Sequence, residues 1–107
     1  MRRRVEAHMR ATVVRYETKP ERADENQALI EAVFADLEER QPEGFTYKAF
    51  RLEDGVRFVH VVVEHDDVEH PDSLVDIPAF QAFVADIGDR CVAPPVPSGA
   101  TVVGGYR

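Results

Sequence analysis

The sequence predicts one α+β domain whose elements follow the order β-α-β-β-α-β. Three observations lead to this fold class. Two segments carry apolar residues at helical spacing, and β-branched or aromatic runs flank each of them. An Asp54-Gly55 pair lies between the two middle runs and is typical of a tight hairpin turn. A length of 107 residues leaves room for one domain. We therefore expect a four-stranded antiparallel sheet with two helices on one face.

The first half of the chain predicts a strand followed by a long helix. Residues 12–17 are β-branched and aromatic, which favours a strand. Asp24 with Gln27 three residues later resembles a capping box at a helix start. An apolar face then recurs at helical spacing: Leu29, Ile30, Val33, Phe34 and Leu37. We expect this helix to end near Arg40, because Pro42 cannot continue it.

The middle of the chain predicts a hairpin and then an acidic loop. Residues 45–52 and 56–64 are rich in valine and aromatic residues and form the two strands on either side of the turn. Residues 65–76 are acidic and contain Pro71, which favours a solvated loop with one short turn of helix.

The last third predicts a second helix and a closing strand. Pro78 suits the first turn of a helix, and an apolar stripe follows at the spacing i, i+3, i+4, i+7. The stripe consists of Phe80, Phe83, Val84 and Ile87. Gly88 ends this helix, and residues 100–106 are expected to form the fourth strand.

Charge and composition exclude several classes of partner. The net charge is −7, although Arg2, Arg3, Arg4 and Arg10 make the first ten residues basic. The acidic remainder would repel nucleic acid and anionic membranes, and no apolar run approaches the ~20 residues that span a bilayer. A single cysteine excludes an internal disulfide and predicts a cytoplasmic location. We expect residues 1–10 to be a disordered extension and residues 11–107 to form the domain.

The third strand predicts a homodimer. Val59, Val61 and Val63 alternate with Phe58 and Val62, so both faces of the sheet are apolar. A sheet that is apolar on both faces is covered on both. Because two helices can cover only one face, we expect a second copy of the chain to cover the other.

With this element order, three segments resemble the dimeric α+β barrel superfamily, and within it the antibiotic-biosynthesis-monooxygenase-like group. The resemblance covers roughly residues 11–106. Its segments are Val14-Arg15-Tyr16-x-x-Lys19-Pro20 with the helix from Glu25 to Phe34, Phe58-Val59-His60-Val61, and Ile77-Pro78-Ala79-Phe80-x-x-Phe83.

The resemblance implies a ferredoxin-like fold and a cofactor-independent monooxygenase. Its substrate would be a small phenol or quinol in a cleft between sheet and helices. The superfamily also includes isomerases, haem-binding enzymes and proteins of other kinds. Two alternative functions therefore remain: a non-catalytic dimer that binds a small hydrophobic ligand, and an isomerase. The chain has no tryptophan, which several cofactor-free members place beside the pocket amide.

Two residues are candidates for catalysis. His60 lies in the middle of a strand, where its ring needs a partner or a cavity. It could shuttle a proton near neutral pH, or it could be hydrogen-bonded in the dimer interface. Asn26 corresponds to a position near which amides line the pocket in the oxygenase relatives, where an amide could steady a substrate oxyanion. Local bonds from Asn26 to the backbone are the alternative.

Aromatic and basic residues are candidates for substrate binding. Tyr47, Phe58, Phe80 and Phe83 could line a pocket for a planar ligand, or they could be ordinary core. Arg15 could attract an acidic or phenolate substrate, or pair with surface carboxylates.

No metal or cofactor site is expected from the sequence. The four histidines show no paired spacing and Cys91 has no cysteine partner. Haem-degrading relatives place their ligand on the second helix, which here has no histidine. Cys91 is expected to be packed and unreactive.

Overall fold

The computed structural model describes residues 10–65 and 72–106. Two single turns of 3-10 helix, Pro20–Arg22 and Leu74–Asp76, connect longer elements. The longer elements are β1 (Arg10–Glu17), α1 (Ala23–Arg40), β2 (Phe45–Arg51), β3 (Arg57–Glu64), α2 (Pro78–Ala85), α3 (Ile87–Arg90) and β4 (Val96–Thr101). This order confirms the predicted α+β fold.

The four strands form one antiparallel sheet in the order β2-β3-β1-β4. Val14 of β1 lies opposite His60 of β3, and Tyr16 lies opposite Phe58. Side chains of directly paired residues point to the same face of a sheet, so these four share one face. The core joins this face to both main helices, and the ferredoxin-like arrangement is therefore confirmed.

Helix α1 begins differently from the sequence prediction. Its N-cap residue is Arg22, which makes no capping bond through its side chain, so the expected capping box from Asp24 is absent. The turn that starts at Pro20 leads directly into the helix and replaces the cap. The helix ends at Arg40 as predicted, because Gln41 adopts the left-handed conformation with φ 52°.

The hairpin between β2 and β3 is confirmed. The carboxylate of Asp54 accepts hydrogen bonds from the backbone N–H groups of Val56 and Arg57, each at 3.0 Å. Gly55 has φ 81°, a conformation that L-residues with a side chain rarely adopt. The two residues together fix the turn and the register of both strands.

The last third of the chain differs most from expectation. The predicted second helix is interrupted at Asp86 and continues as α3. The predicted strand at 100–106 was wrong, since β4 runs from Val96 to Thr101. Pro97 lies within β4, which is an edge strand, where a proline can be accommodated. Val103, beyond the strand, is 97% exposed.

The second face of the sheet, which we call the open face, carries Val13, Val59, Val61 and Val63. These valines are partly buried by their neighbours but do not belong to the core cluster. Phe50 on the same face is 48% exposed. The apolar character predicted for both faces is therefore present in the described chain.

Three further observations complete the fold. The expected short turn in the acidic loop is present at Leu74–Asp76, whereas residues 66–71 lie outside the described ranges. The proposed extension also lies outside them, except that Arg10 begins β1. No helix in the described segments is long and apolar enough to cross a bilayer.

Candidate active site

Five polar side chains form a continuous series of hydrogen bonds beneath the helices. Arg90 Nε donates to Asn26 Oδ1 at 2.9 Å, and Asn26 Nδ2 donates to Tyr16 Oη at 2.9 Å. Tyr16 Oη lies 2.7 Å from His60 Nε2, and Tyr47 Oη lies 2.7 Å from His60 Nδ1. We call these five residues the buried chain.

The pattern of the elements explains how these residues meet. Tyr16 and His60 lie on the neighbouring strands β1 and β3, on the face beneath the helices. Asn26 shares the inward face of α1 with Ile30 and Val33, which follow it at helical spacing. Asn26 therefore occupies a core position and is fully buried.

Arg90 closes the buried chain at one end. It is 1% exposed, and its second guanidinium nitrogen donates to the Phe83 carbonyl oxygen at 2.6 Å. The guanidinium also lies over the Phe83 ring, 5.3 Å from its centre. No carboxylate in the described part of the chain lies within ion-pair distance of it. Neutral oxygens and a ring face therefore stabilise this buried cation.

His60 is neutral in this environment. It is 5% exposed, and its ring packs against those of Phe83 and Tyr47, with ring centres 5.3 and 5.8 Å away. Burial lowers the pKa of His60 to about 4. Burial also raises the pKa values of Tyr16 and Tyr47. All three side chains are therefore uncharged near neutral pH.

A cleft of about 490 Å³ opens on the same face of the sheet. Its apolar wall is formed by Val14, Phe45, Val62, Leu74, Val75 and Phe80. Polar and charged side chains also line it: Arg10, Thr12, Glu64, His65, Asp72 and Ser73. A volume of this size lies within the range of small-molecule sites.

The buried chain lies behind the wall of this cleft. None of its five residues lines the cleft directly. Tyr47 is half-buried and lies opposite the wall residue Val62 in the sheet register. Its ring meets the ring of Phe80 edge-on at 6.4 Å. Tyr47 therefore contacts a wall residue of the cleft through its ring, and it is the end of the buried chain that lies next to Phe80.

The structure brings most of the predicted site residues together. Tyr16 joins His60 to Asn26, so the two catalytic candidates belong to one network. His60 lies on the face beneath the helices, whereas the interface alternative needed the open face. Asn26 bonds side chains and not the backbone of its own turn.

The four aromatic residues predicted to bind substrate lie partly in or beside the buried chain and partly in the core. Tyr47 belongs to the buried chain. Phe80 packs against the ring of Tyr47, and Phe83 packs against the ring of His60. Phe58 is 1% exposed and stacks on Tyr16 at 5.5 Å, deep in the core.

Arg15 is not brought to this site. It lies opposite Val59 in the sheet register and is exposed on the open face, away from the cleft.

Sequence reasoning missed Tyr16 and Arg90. Tyr16 follows Val14 at the spacing of one strand face, which could have placed it beside His60. Arg90 gave no comparable signal, because an arginine at the end of a short helix is usually solvated.

Cys91 is packed away, as expected. It is 5% exposed, and burial raises the pKa of its thiol, so little reactive thiolate forms near neutral pH. The described residues contain no group of three or more histidine, cysteine or acidic side chains that could hold a metal ion.

Comparison with solved structures identifies the fold. Rv0793 from Mycobacterium tuberculosis aligns with a TM-score of 0.72 at 17% identity, over 92% of this chain and 99% of that one. A protein provisionally named as an antibiotic biosynthesis monooxygenase, from Nitrosomonas europaea, aligns with 0.72 at 12% identity, over 91% and 92%. A variant of SnoaB, a cofactor-independent oxygenase from Streptomyces nogalater, aligns with 0.65 at 15% identity, over 92% and 97%.

These similarities lie in structure and not in sequence. No protein-family model matches this sequence, and no curated protein matches it. The chain therefore has the fold of the antibiotic-biosynthesis-monooxygenase-like proteins, as its segments predicted.

Proposed function

We propose that this chain, which shares its fold with a cofactor-independent oxygenase, is itself a monooxygenase acting on a small phenol or quinol. The observation that carries the proposal is the cleft of about 490 Å³ with the buried chain ending behind its wall. Phe45 and Phe80 offer flat apolar surfaces to an aromatic ring. The fold alone does not assign this function.

The proposed reaction needs no electrons from the protein. A phenol with a hydrogen para to its hydroxyl group reacts with one O₂ and yields a para-quinone and one water. The phenolate forms a bond from its para carbon to oxygen, which gives a peroxide. The O–O bond then breaks as the para C–H proton leaves, so one oxygen stays as the new carbonyl and the other becomes water. The substrate supplies all four electrons.

The protein contributes binding and stabilisation of the phenolate. In this proposal Tyr47 donates its hydroxyl proton as a hydrogen bond to the substrate oxygen when the ligand displaces the Phe80 ring. Such a bond is stronger to an anionic oxygen than to a neutral one. His60, Tyr16 and Asn26 hold Tyr47 in place. The proton-shuttle role expected for His60 becomes a positioning role, because both of its ring nitrogens already have partners.

An oxygen electrode with 1-naphthol as the probe tests this proposal. We expect enzyme-dependent uptake of one O₂ for each 1,4-naphthoquinone formed, above the rate in buffer alone. Tyr47→Phe should lower kcat more than it raises KM. Glu39→Gln, at an exposed position of α1, is the matched control and should leave both unchanged. Binding of naphthols without any oxygen uptake would contradict the oxygenase assignment.

Binding without turnover is the second candidate function, and one observation favours it. The buried chain contains no unoccupied base, since the hydroxyl groups of Tyr16 and Tyr47 engage both nitrogens of His60. A ligand that raises the melting temperature and is recovered unchanged under air would identify this function.

We infer in addition that the open face packs against a second copy of the chain. Val13, Val59, Val61 and Val63 form a continuous apolar strip there, flanked by the exposed ring of Phe50. Apolar residues that gather on one face of a sheet outside the core mark a surface suited to contact with another protein. A two-fold pairing would bring the same valines from both copies together. The cytoplasmic location stays a prediction.

A further inference from the structure

Arg90 fixes the orientation of the amide next to it. A guanidinium group can donate hydrogen bonds but cannot accept them. The atom of Asn26 that faces Arg90 Nε at 2.9 Å must therefore be the amide oxygen. The amide nitrogen then faces Tyr16, and the Tyr16 oxygen accepts a hydrogen bond from it at 2.9 Å.

The orientation of the Asn26 amide also determines which nitrogen of the His60 imidazole carries the proton. Within the described segments, the Tyr16 hydroxyl has two hydrogen-bonding partners, Asn26 and His60. Because Asn26 donates to it, the Tyr16 proton can find an acceptor only at His60 Nε2, 2.7 Å away. A buried hydroxyl proton without an acceptor is unfavourable. His60 Nε2 is therefore unprotonated, and the ring proton of neutral His60 resides on Nδ1.

The last bond then has only one direction. His60 Nδ1–H donates to Tyr47 Oη across 2.7 Å. The Tyr47 proton is left without an acceptor in the described part of the chain, and it is the one donor with which the buried chain ends. All four bonds point the same way, from Arg90 towards Tyr47, and hydrogen bonds aligned in this manner polarise one another.

We propose that Arg90, through this one-way series of hydrogen bonds, makes the site behind the cleft wall a donor, so that it selects ligands with a hydrogen-bond acceptor. The ligand class is an aromatic molecule that carries a carbonyl or a phenolate oxygen. The selectivity rests on the proposed function, because it assumes that the cleft binds an aromatic molecule. The direction of the bonds does not rest on it. Arg90 and Asn26 are positioning residues, since neither touches the ligand.

The tautomer of His60 tests the direction without any ligand. Long-range proton–nitrogen correlation spectra of protein labelled with ¹⁵N-histidine distinguish a protonated ring nitrogen from an unprotonated one. His60→Gln assigns the signal among the four histidines. We expect the proton on Nδ1 near neutral pH. A proton on Nε2 would overturn the proposal.

Asn26→Asp is designed to reverse the series with almost no change of shape. The introduced carboxylate can accept from Arg90 and from Tyr16 but cannot donate to either. Tyr16 would then accept from His60 Nε2–H, and Tyr47 would donate to Nδ1. We expect the tautomer to switch to Nε2–H. A folded variant that keeps the proton on Nδ1 would show that Arg90 and Asn26 do not set the direction.

Tyr47→Phe is the control if Asn26→Asp fails to fold. It removes the far end of the series and leaves the bonds from Arg90 to His60 intact. The proton should therefore stay on Nδ1. A switch to Nε2 in this variant would mean that Tyr47 sets the direction, which contradicts the proposal.

A pair of bicyclic probes of similar size tests the selectivity. 1-Indanone carries only an acceptor, and indole carries only an N–H donor. We expect the protein to bind 1-indanone about tenfold more tightly than indole, the difference expected from one hydrogen bond, and Asn26→Asp to reverse this preference. Equal affinities in both proteins would overturn the selectivity. If neither probe binds, the binding role of the cleft fails together with the selectivity, whereas the tautomer result still decides the direction.

Discussion

Replacing Tyr16 by phenylalanine removes one oxygen atom from the middle of the buried chain and keeps the ring that stacks on Phe58 at 5.5 Å. Two groups lose their partner: the Asn26 amide, which is fully buried, and His60 Nε2, on a residue that is 5% exposed. Each unsatisfied buried group costs about 1–3 kcal/mol. We expect Tyr16→Phe to lower the free energy of unfolding by about 3 kcal/mol, since some relaxation will recover part of the sum.

Tyr47→Phe is the graded comparison for this prediction. It leaves only His60 Nδ1–H without its partner, at the half-buried end of the chain. We expect a smaller loss of about 1 kcal/mol, because one group instead of two loses its partner. Urea unfolding of both variants and the wild type at one protein concentration, followed by circular dichroism, measures the difference. A loss below ~0.5 kcal/mol for Tyr16→Phe would refute the argument that Asn26 and His60 depend on the Tyr16 hydroxyl for their hydrogen bonds.

Three further predictions concern other parts of the molecule. The pKa of His60 is lowered to about 4, below about 6.5 in the unfolded chain, so its contribution to stability is complete above about pH 6.5 and is lost towards pH 4. Between these pH values the free energy of unfolding should fall by about 3 kcal/mol. Urea unfolding of His60→Gln should not show this decrease, because the variant has no imidazole to protonate. Val61→Glu on the open face should give a monomer by light scattering, whereas Val84→Glu on α2 should not. A Val61→Glu dimer would exclude the open face as the interface. Gly55→Ala should cost about 1 kcal/mol because of φ 81°, and Gly99→Ala, with open space around it, should be neutral in the same unfolding assay.

The fold could be predicted where local signals agreed. The Asp54-Gly55 turn and the valine-rich strand after it define the hairpin by chemistry within a few residues. β4 could not be placed in this way, because Pro97 is compatible with a strand only at a sheet edge. Whether a strand lies at an edge is decided by the pairing of distant segments. The start of α1 was misjudged for a related reason, since the turn at Pro20 made the cap from Asp24 unnecessary.

The candidate site was predictable only in part. His60 stands out because a polar ring in an apolar strand needs a partner. The identity of that partner depends on the sheet register and on packing between elements that are far apart in sequence. Arg90 lies 64 residues from Asn26, and no local pattern indicates that its charge is buried. Sequence alone could not separate the aromatic residue in the wall of the cleft, Phe80, from those in the core behind it, Phe58 and Phe83.

The position of Pro97 also bears on how copies of this chain can associate. β2 and β4 form the two edges of the sheet, and β4 carries a residue without a backbone N–H. On the opposite edge, Lys48 and Arg51 are exposed charged residues of β2. Proline and lysine at an edge discourage the addition of further strands. Addition of further copies along the sheet edges is thus disfavoured, and the proposed pairing through the valine strip would stop at two copies because each would cover the other.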